Sequence, residues 1–476
     1  MTDELWKWDA VALAEGIRAR RISSREAVAA CVGRMHAVNP RLNAVTCDLS
    51  EEALAAADRA DAASARRETL GPLHGVPVTI KENVDQEGCA TVNGVAAFKD
   101  VIATADHPVV ANWKKAGAVI IGRTNTPAFS MRLDTVNDYR GRTYSPWSRT
   151  HTPGGSSGGA SSSVAAGITP LAHGNDIAGS VRYPAYCTGL VGLRPSFGRV
   201  PAYNPSGKTE RPISAQLMSV QGPLARTVRD VRLGFHAMAA PDARDPWWVP
   251  VPLEGPPPAK PIRVAIVADA ADLAGAAPSP PVAAALAQAA QALAEAGYEV
   301  VTTRTPGFTA AFELWFEMHI PEFRRFQQAD FERDGDEGIR RAMQLMQENV
   351  PDMSPDDHLK ALANRTRLIR DWYAFLERTP LVLAPVCTQL PYAQGFDLES
   401  VARTMEVWRQ SCTLMAVPVL GLPGLAVPTG VAQGQNEDLP VGVQIIGQRF
   451  REDLCLAAAE AIEARVPRIT PIDPRD

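Results

Sequence analysis

The residues best suited to chemistry are a lysine at the end of an apolar run and serines within a glycine-rich segment. Lys81 directly follows the largely apolar segment 76–80, which predicts a strand that ends at this lysine. Residues 154–192 contain nine glycines and six serines, interrupted by apolar residues. A flexible linker is polar throughout. We therefore interpret the segment as one whose backbone N–H groups approach a ligand or an oxyanion.

Two other patterns match active-site motifs but lack the required surroundings. Residues 154–158 fit the G-x-S-x-G pattern of a nucleophile elbow, yet the polar segment 149–153 stands where that elbow needs a strand. Residues 207–209 match the end of a phosphate-binding loop, but the glycine required five positions before them is Ala202. No H-E-x-x-H sequence occurs, and the eight histidines show no metal-ligand spacing. The sequence therefore favours neither an α/β-hydrolase nor a metalloenzyme.

Four longer motifs resemble those of the amidase signature family. They are LHGVPVTIKEN at 73–83, GGSSGG at 154–159, DIAGSVR at 176–182 and GLVGLRP at 189–195. The resemblance extends over about residues 5–465. It implies a Ser–cis-Ser–Lys triad with an acyl-enzyme intermediate, in which Ser180 is the nucleophile, Ser156 the bridging serine and Lys81 the base.

Such a triad places a requirement on the pKa of Lys81. A serine hydroxyl is a poor nucleophile until a base takes its proton, and a lysine amine accepts a proton only when it is neutral. Lowering its pKa from ~10.4 to near 7–8 corresponds to about 4 kcal/mol of desolvation or hydrogen bonding. We therefore expect Lys81 to be buried, and activity to rise with pH as the amine loses its proton.

The resemblance also implies an oxyanion hole on the segment that carries Ser180 (the nucleophile loop, residues 176–182). Its donors would be the backbone N–H groups of Ile177, Ala178, Gly179 and Ser180, directed at the oxyanion of the tetrahedral intermediate. The family usually has glycine at the position of Ala178. A methyl group restricts the backbone there but leaves the N–H group intact.

Three further residues are expected to support the site. Ser157 would belong to the serine network, and Asp176 and Arg182 would brace the nucleophile loop by pairing with each other or with the backbone. The family places a cis peptide bond before Ser156. We expect no metal and no cofactor.

Alternating strand and helix patterns predict an α/β fold. The resemblance implies a large mixed central sheet flanked by helices, in a single domain (1–476) with a helical insertion. Its expected parts are N-terminal helices (1–70), a catalytic core with the lysine and serine motifs (71–235), a connection and helical insertion (236–400) and a C-terminal core (401–476). The uncharged segment 413–432 contains three prolines and three glycines, which predict short buried strands and turns rather than a membrane span.

Composition excludes several classes of partner. The 476 residues include 48 basic and 53 acidic side chains, a net charge of −5, and no basic block suited to nucleic acid. The acidic and aromatic beginning of the chain does not resemble a signal peptide. We expect a cytoplasmic protein that binds neither nucleic acid nor membrane, as a monomer or homodimer.

The resemblance implies a hydrolase that cleaves carboxylic amide C–N bonds in small molecules, with a range extending to anilides, esters and carbamates (urethanes). The alternative is an amidotransferase A-type subunit that releases ammonia from glutamine with a partner protein. The aromatic residues Tyr183 and Tyr186 close to the nucleophile disfavour the polar pocket that glutamine needs. An aromatic-rich segment, 315–326, predicts either core packing or an apolar wall of the acyl pocket.

Overall fold

The computed structural model describes residues 2–434 and 437–475. Strands in these ranges form one eleven-stranded sheet and one two-stranded sheet. The strands are β1 (Val45–Asp48), β2 (Pro77–Lys81), β3 (Val119–Thr124), β4 (Val136–Asn137), β5 (Gly141–Arg142), β6 (Leu171–Asp176), β7 (Val191–Arg194), β8 (Val220–Ala225), β9 (Arg263–Ile266), β10 (Glu299–Thr302), β11 (Leu381–Pro385), β12 (Gly424–Gln433) and β13 (Asp438–Gly447).

Helices cover the sheet and fill the connections between its strands. The α-helices are α1 (Ala10–Arg18), α2 (Ser24–Leu42), α3 (Ser50–Ala65), α4 (Pro108–Lys115), α5 (Gly158–Ala165), α6 (Arg182–Thr188), α7 (Ile213–Met218), α8 (Val228–Met238), α9 (Pro280–Glu295), α10 (Thr309–Phe326), α11 (Gln328–Asp334), α12 (Glu337–Glu348), α13 (Pro355–Arg378), α14 (Val401–Gln410), α15 (Cys412–Leu420) and α16 (Glu452–Glu463). Short 3₁₀ helices span Thr2–Lys7, Ala96–Phe98, Ala128–Ser130, Ala270–Asp272 and Phe396–Leu398.

The large sheet is mixed, and its strand order is β1-β3-β2-β6-β8-β7-β12-β13-β11-β9-β10. Parallel pairs lie near both ends of the sheet, whereas the strands from β6 through β13 to β11 pair in antiparallel fashion. This confirms the predicted α/β class with a large mixed sheet and flanking helices.

Two parallel neighbours in the sheet, β2 and β6, position the motif residues. Carboxyl ends of parallel strands meet at the same edge of a sheet. Lys81 is the last residue of β2, and the chain leaves β6 at Asp176, four residues before Ser180. All five residues of β2 are buried, so the lysine is held at the end of a strand within the core.

The N-terminal region contains a strand where only helices are expected. Ser23 and Glu26 form a capping box that begins α2. That helix ends at Asn43, which has a left-handed conformation, and the Asn39 side chain accepts hydrogen bonds from the next two backbone N–H groups. The chain then continues into β1, which pairs with β3. The division of the domain into four parts stays a prediction.

The segment 413–432 also differs from expectation, because its first part is helical. Pro418 lies within α15 and has no N–H group to donate to the carbonyl of Leu414, four residues earlier. The Arg182 guanidinium donates to that carbonyl instead, at 2.7 Å. The prediction of strands and turns is therefore wrong for α15 and right for β12. Among the described residues, no helix is long and apolar enough to cross a membrane.

Candidate active site

The amine of Lys81 lies at the centre of a buried polar cluster. Its Nζ is 2.7 Å from Oγ of Ser156, 2.8 Å from Oδ1 of Asn175 and 3.2 Å from Oγ of Ser157. A neutral amine has two N–H donors and one lone pair. Because the Asn175 oxygen can only accept, one N–H points there, and the other can serve Ser157 while the lone pair faces the Ser156 hydroxyl. The cluster therefore suits a neutral lysine that accepts a proton from Ser156.

Burial also favours the neutral form of this lysine. The side chain of Lys81 is fully buried, and burial lowers its pKa well below the ordinary value. The charges of Asp176 and Glu82 act in the opposite direction but do not outweigh burial. The amine therefore loses its proton at a lower pH than an exposed lysine.

Glycines shape the loop that carries the two serines. The peptide bond between Gly155 and Ser156 is cis, and Ser157 immediately precedes α5. A Cβ atom on Gly155 would lie 2.4 Å from the carbonyl oxygen of Arg132. Only glycine leaves room for this approach of two backbone segments.

A buried carboxylate braces the loop that follows β6. Asp176 accepts hydrogen bonds from the N–H groups of Gly179, at 2.9 Å, and Val181, at 3.2 Å. It also forms a bidentate ion pair with Arg182, with both N–O distances at 3.0 Å. Although burial raises the pKa of Asp176, Arg182 and Arg194 outweigh it and hold the pKa below its ordinary value. The structure thus brings together the two residues expected to brace this loop.

The N–H groups of the expected oxyanion hole are not equivalent. The N–H group of Gly179 is donated to Asp176, so the expectation that it serves an oxyanion does not fit this arrangement. The N–H groups of Ile177, Ala178 and Ser180 have no partner among the described residues. Gly179 has φ +97°, and a Cβ there would lie 2.6 Å from Cβ of Leu414. Ala178 does not have a positive φ, which explains why alanine is accommodated.

The hydroxyl of Ser180 is not joined to the lysine cluster in this structure. Ser180 lies on the same loop and is 6% exposed, but its Oγ has no hydrogen-bond partner among residues 2–434 and 437–475. The structure therefore brings Lys81, Ser156 and Ser157 together and leaves Ser180 outside their hydrogen-bond network.

Two residues of β6 that contact the lysine were not identified from the sequence as site residues. Asn175 binds the amine of Lys81, and His173 accepts a hydrogen bond from its backbone N–H at 3.4 Å. His173 is neutral, because burial lowers its pKa to about 3, and its other ring nitrogen contacts Gln221 at 2.9 Å. Alternation along β6 places both side chains on one face, immediately before the nucleophile motif. This periodicity is the signal that could have identified them.

Helix α10 packs against the nucleophile loop through an aromatic side chain. Nε1 of Trp315 donates to the carbonyl oxygen of Ile177 at 3.1 Å. Most of the aromatic-rich segment of α10 is buried, as core packing predicts, whereas Phe326 is 62% exposed. The helix therefore contacts the backbone of the loop that carries Ser180.

A serine hydroxyl next to a buried lysine with a lowered pKa is an arrangement suited to general-base activation of the hydroxyl for acyl transfer. Comparison with known proteins specifies the family. The chain belongs to the amidase family, whose sequence model matches residues 26–456.

Relatives of known activity are similar over nearly the whole chain. An indoleacetamide hydrolase from Bradyrhizobium diazoefficiens is 48% identical over 97% of this chain and 87% of its own length. The A-type subunit of a glutamyl-tRNA(Gln) amidotransferase from Moorella thermoacetica is 31% identical over 97% of both chains.

Solved structures of amide hydrolases share the fold. A 6-aminohexanoate cyclic dimer hydrolase is 26% identical, with a TM-score of 0.82 and coverage of 98% of both chains. A bacterial aryl acylamidase of the amidase signature family is also 26% identical, with a TM-score of 0.80 and coverage of 96% of both. This chain is therefore an amide hydrolase that acts on small molecules, as predicted. The amidotransferase alternative rests on the more distant similarity.

Proposed function

We propose that this protein hydrolyses a primary arylacetamide, of which indole-3-acetamide is the reference substrate, to the carboxylic acid and ammonia. The observation that carries the mechanism is the 2.7 Å contact between the buried amine of Lys81 and the hydroxyl of Ser156. The choice of substrate rests on the 48% identical relative named for indoleacetamide hydrolysis. The aromatic helix against the nucleophile loop is consistent with a flat apolar acyl group.

The proposed acylation step begins with proton transfer. Lys81 takes the proton of the Ser156 hydroxyl, and Ser156 takes that of Ser180, whose oxygen attacks the carbonyl carbon of the amide. This requires a hydrogen bond between the two serines that is absent here. Catalytic hydrogen bonds commonly tighten only when substrate binds.

The negative charge of the tetrahedral intermediate falls on the former carbonyl oxygen. We assign its stabilisation to the N–H groups of Ile177, Ala178 and Ser180, which have no partner among the described residues. Gly179 instead fixes the loop through Asp176. The carboxylate therefore organises the oxyanion site without contacting the substrate.

The remaining steps return the enzyme to its starting state. When the C–N bond breaks, the leaving nitrogen takes the proton held by Lys81 through Ser156, and ammonia departs. Water then attacks the acyl ester on Ser180 while the same pair removes its proton. Collapse of the second intermediate releases the carboxylic acid and returns the hydrogen to Ser180.

The proposal extends to substrate preference, cellular location and assembly. We assign primary amides as the main substrates and treat anilides and carbamates as poorer ones, because the relative that is 48% identical is named for the hydrolysis of indoleacetamide, a primary amide. We also propose that the protein works in the cytoplasm, as a monomer or homodimer and without a partner protein.

A hydrolysis panel tests the proposed function. Purified protein is assayed on indole-3-acetamide, a nitroanilide, glutamine and an aryl carbamate, and the Ser180→Ala and Ser163→Ala variants are assayed alongside it. Ser163 is a matched control, because it is a buried serine whose hydroxyl bonds to the carbonyl of Ala160. We expect turnover of indole-3-acetamide to fall by about 10⁴-fold or more in Ser180→Ala and to persist in Ser163→Ala.

Two results would contradict the proposal. Hydrolysis of glutamine alone, or of nothing without an added partner, would favour the amidotransferase alternative. Retention of most activity in Ser180→Ala would exclude this serine as the nucleophile.

A further inference from the structure

A buried histidine lies one helical turn from the contact between α10 and the nucleophile loop. Trp315 donates to the carbonyl of Ile177, and the ring of His319 packs against that of Trp315 with 4.7 Å between the centroids. His319 is only 2% exposed. The imidazole therefore lies in the layer of side chains next to the loop that carries Ser180.

Hydrogen-bond geometry determines which ring nitrogen of His319 carries the proton. The hydroxyl of Ser214 donates to Oε2 of Glu322 at 2.5 Å, and the Ser214 backbone N–H donates to the same oxygen at 2.9 Å. A hydroxyl has a single hydrogen, so Ser214 can only accept from Nδ1 of His319, at 3.5 Å. Nδ1 therefore carries the hydrogen, and Nε2 presents a lone pair.

That lone pair has no partner. Nε2 of His319 is buried, and no described residue forms a hydrogen bond with it. Burial, together with the charge of Arg211, lowers the pKa of His319 to about 4, so the ring is neutral near pH 7. An acceptor without a donor is unusual for a buried polar atom and requires an explanation.

The second buried histidine near the site shows what a purely structural role requires. Both ring nitrogens of His173 have partners, the backbone N–H of Lys81 and the side chain of Gln221. His319 has a partner on one nitrogen alone. Nε2 of His319 is therefore left to accept a hydrogen bond from a water molecule or from a ligand.

We propose that Nε2 of His319 accepts a hydrogen bond from the ring N–H of the substrate, and so selects arylacetamides that carry such a donor. This inference rests on the proposed function. An indole N–H group only donates, which complements an acceptor that cannot donate. Trp315 packs against His319 and also stacks on Trp408, with 6.3 Å between the two indole centroids, and in this proposal the pair supplies aromatic surface for the ring system.

The test compares two substrates of nearly the same shape. Indole-3-acetamide and 1-benzofuran-3-acetamide differ in a ring N–H group that is replaced by oxygen. We expect wild-type kcat/KM to favour the indole by about tenfold or more, mainly through KM. His319→Phe should bring the ratio to within about twofold, whereas His319→Gln, which keeps an acceptor, should retain part of the preference. Phe326→Ala, on the exposed side of the same helix, should leave the ratio unchanged.

Each outcome has a separate meaning. Equal wild-type kcat/KM for the two compounds would overturn the role of His319 and leave arylacetamide hydrolysis intact. A wild-type preference that persists in His319→Phe would assign the selection to another group. Hydrolysis of other amides without turnover of either arylacetamide would refute the proposed substrate class, and the inference with it. If His319→Phe fails to fold, His319→Gln carries the comparison, and an undiminished preference for the indole in that variant would overturn the role of His319.

Discussion

Nζ of Lys81 lies 2.8 Å from Oδ1 of Asn175, on the neighbouring parallel strand. The amide oxygen accepts one N–H of the amine but carries no net charge. It therefore orients the lysine without stabilising the ammonium form as a carboxylate would. Together with the two serines, this contact gives the buried lysine the surroundings that its proposed role as a base requires.

A charge introduced at this contact should change the pH dependence of catalysis. In Asn175→Asp, a carboxylate next to the amine favours the ammonium and raises the pKa of Lys81. We expect the acid limb of the kcat/KM profile to move upward by about one to three pH units. Asn175→Thr, which is neutral, should shift the limb less. An unchanged acid limb in Asn175→Asp would mean that Lys81 is not the titrating base.

The buried lysine should also make folding depend on pH. Its pKa is depressed in the folded protein, so between that pKa and about 10.4 the unfolded chain binds more protons. Stability should therefore rise with pH across this window, by up to about 1.4 kcal/mol per pH unit from this group. The free energy of unfolding, measured by urea titration at pH 7, 8 and 9, should rise less steeply with pH in Lys81→Met than in wild type. An equal rise of the unfolding free energy with pH in both proteins would show that Lys81 is not neutral in the folded state.

The nucleophile loop should tolerate a change at one position and not at the next. In Gly179→Ala, the new methyl group meets Leu414 and the backbone must keep φ +97°, so we expect kcat to fall on the order of 10²-fold. Ala178→Gly removes a methyl group where φ is not positive, and kcat should change only a few-fold. Steady-state kinetics on one amide substrate compares the two variants. Similar losses in both would contradict the assigned loop geometry.

Arg182 should contribute to the free energy of unfolding as well as to the conformation of the nucleophile loop. It pairs with buried Asp176 and satisfies the carbonyl that Pro418 leaves free in α15. We expect Arg182→Met to lower the free energy of unfolding by about 3–5 kcal/mol, because a buried carboxylate loses its main partner. Urea titration gives this value, and Arg403→Ala, which removes a surface ion pair, should leave the midpoint unchanged. A wild-type midpoint for Arg182→Met would contradict this account.

Local sequence patterns predicted the elements that hold the site. The apolar run before Lys81 forms β2, because the periodicity that indicates a strand acts within a few residues. Helix α15 was not predicted, because the group that compensates for Pro418 is Arg182, more than 200 residues away in sequence.

Within the site, too, the sequence predicts features that depend on local patterns but not contacts between distant segments. The motifs identified Lys81 and the serines, but the third contact of the amine, Asn175, depends on the pairing of β2 with β6. The donation of the Gly179 N–H to Asp176 depends on the loop conformation, which residue types alone do not specify. Contacts across strands and within irregular loops therefore required the structure.

In the proposed mechanism, Ser180 attacks the substrate while Lys81 and Ser156 remove its proton. Acyl trapping tests this most directly: the protein is quenched during turnover of 4-nitrophenyl indole-3-acetate, and its peptides are mapped by mass spectrometry. We expect an indoleacetyl group on Ser180 in wild type, none in Ser180→Ala, and strongly reduced labelling in Lys81→Met. Acylation of Ser156 or Ser157, or undiminished labelling of the Ser180→Ala protein, would contradict it.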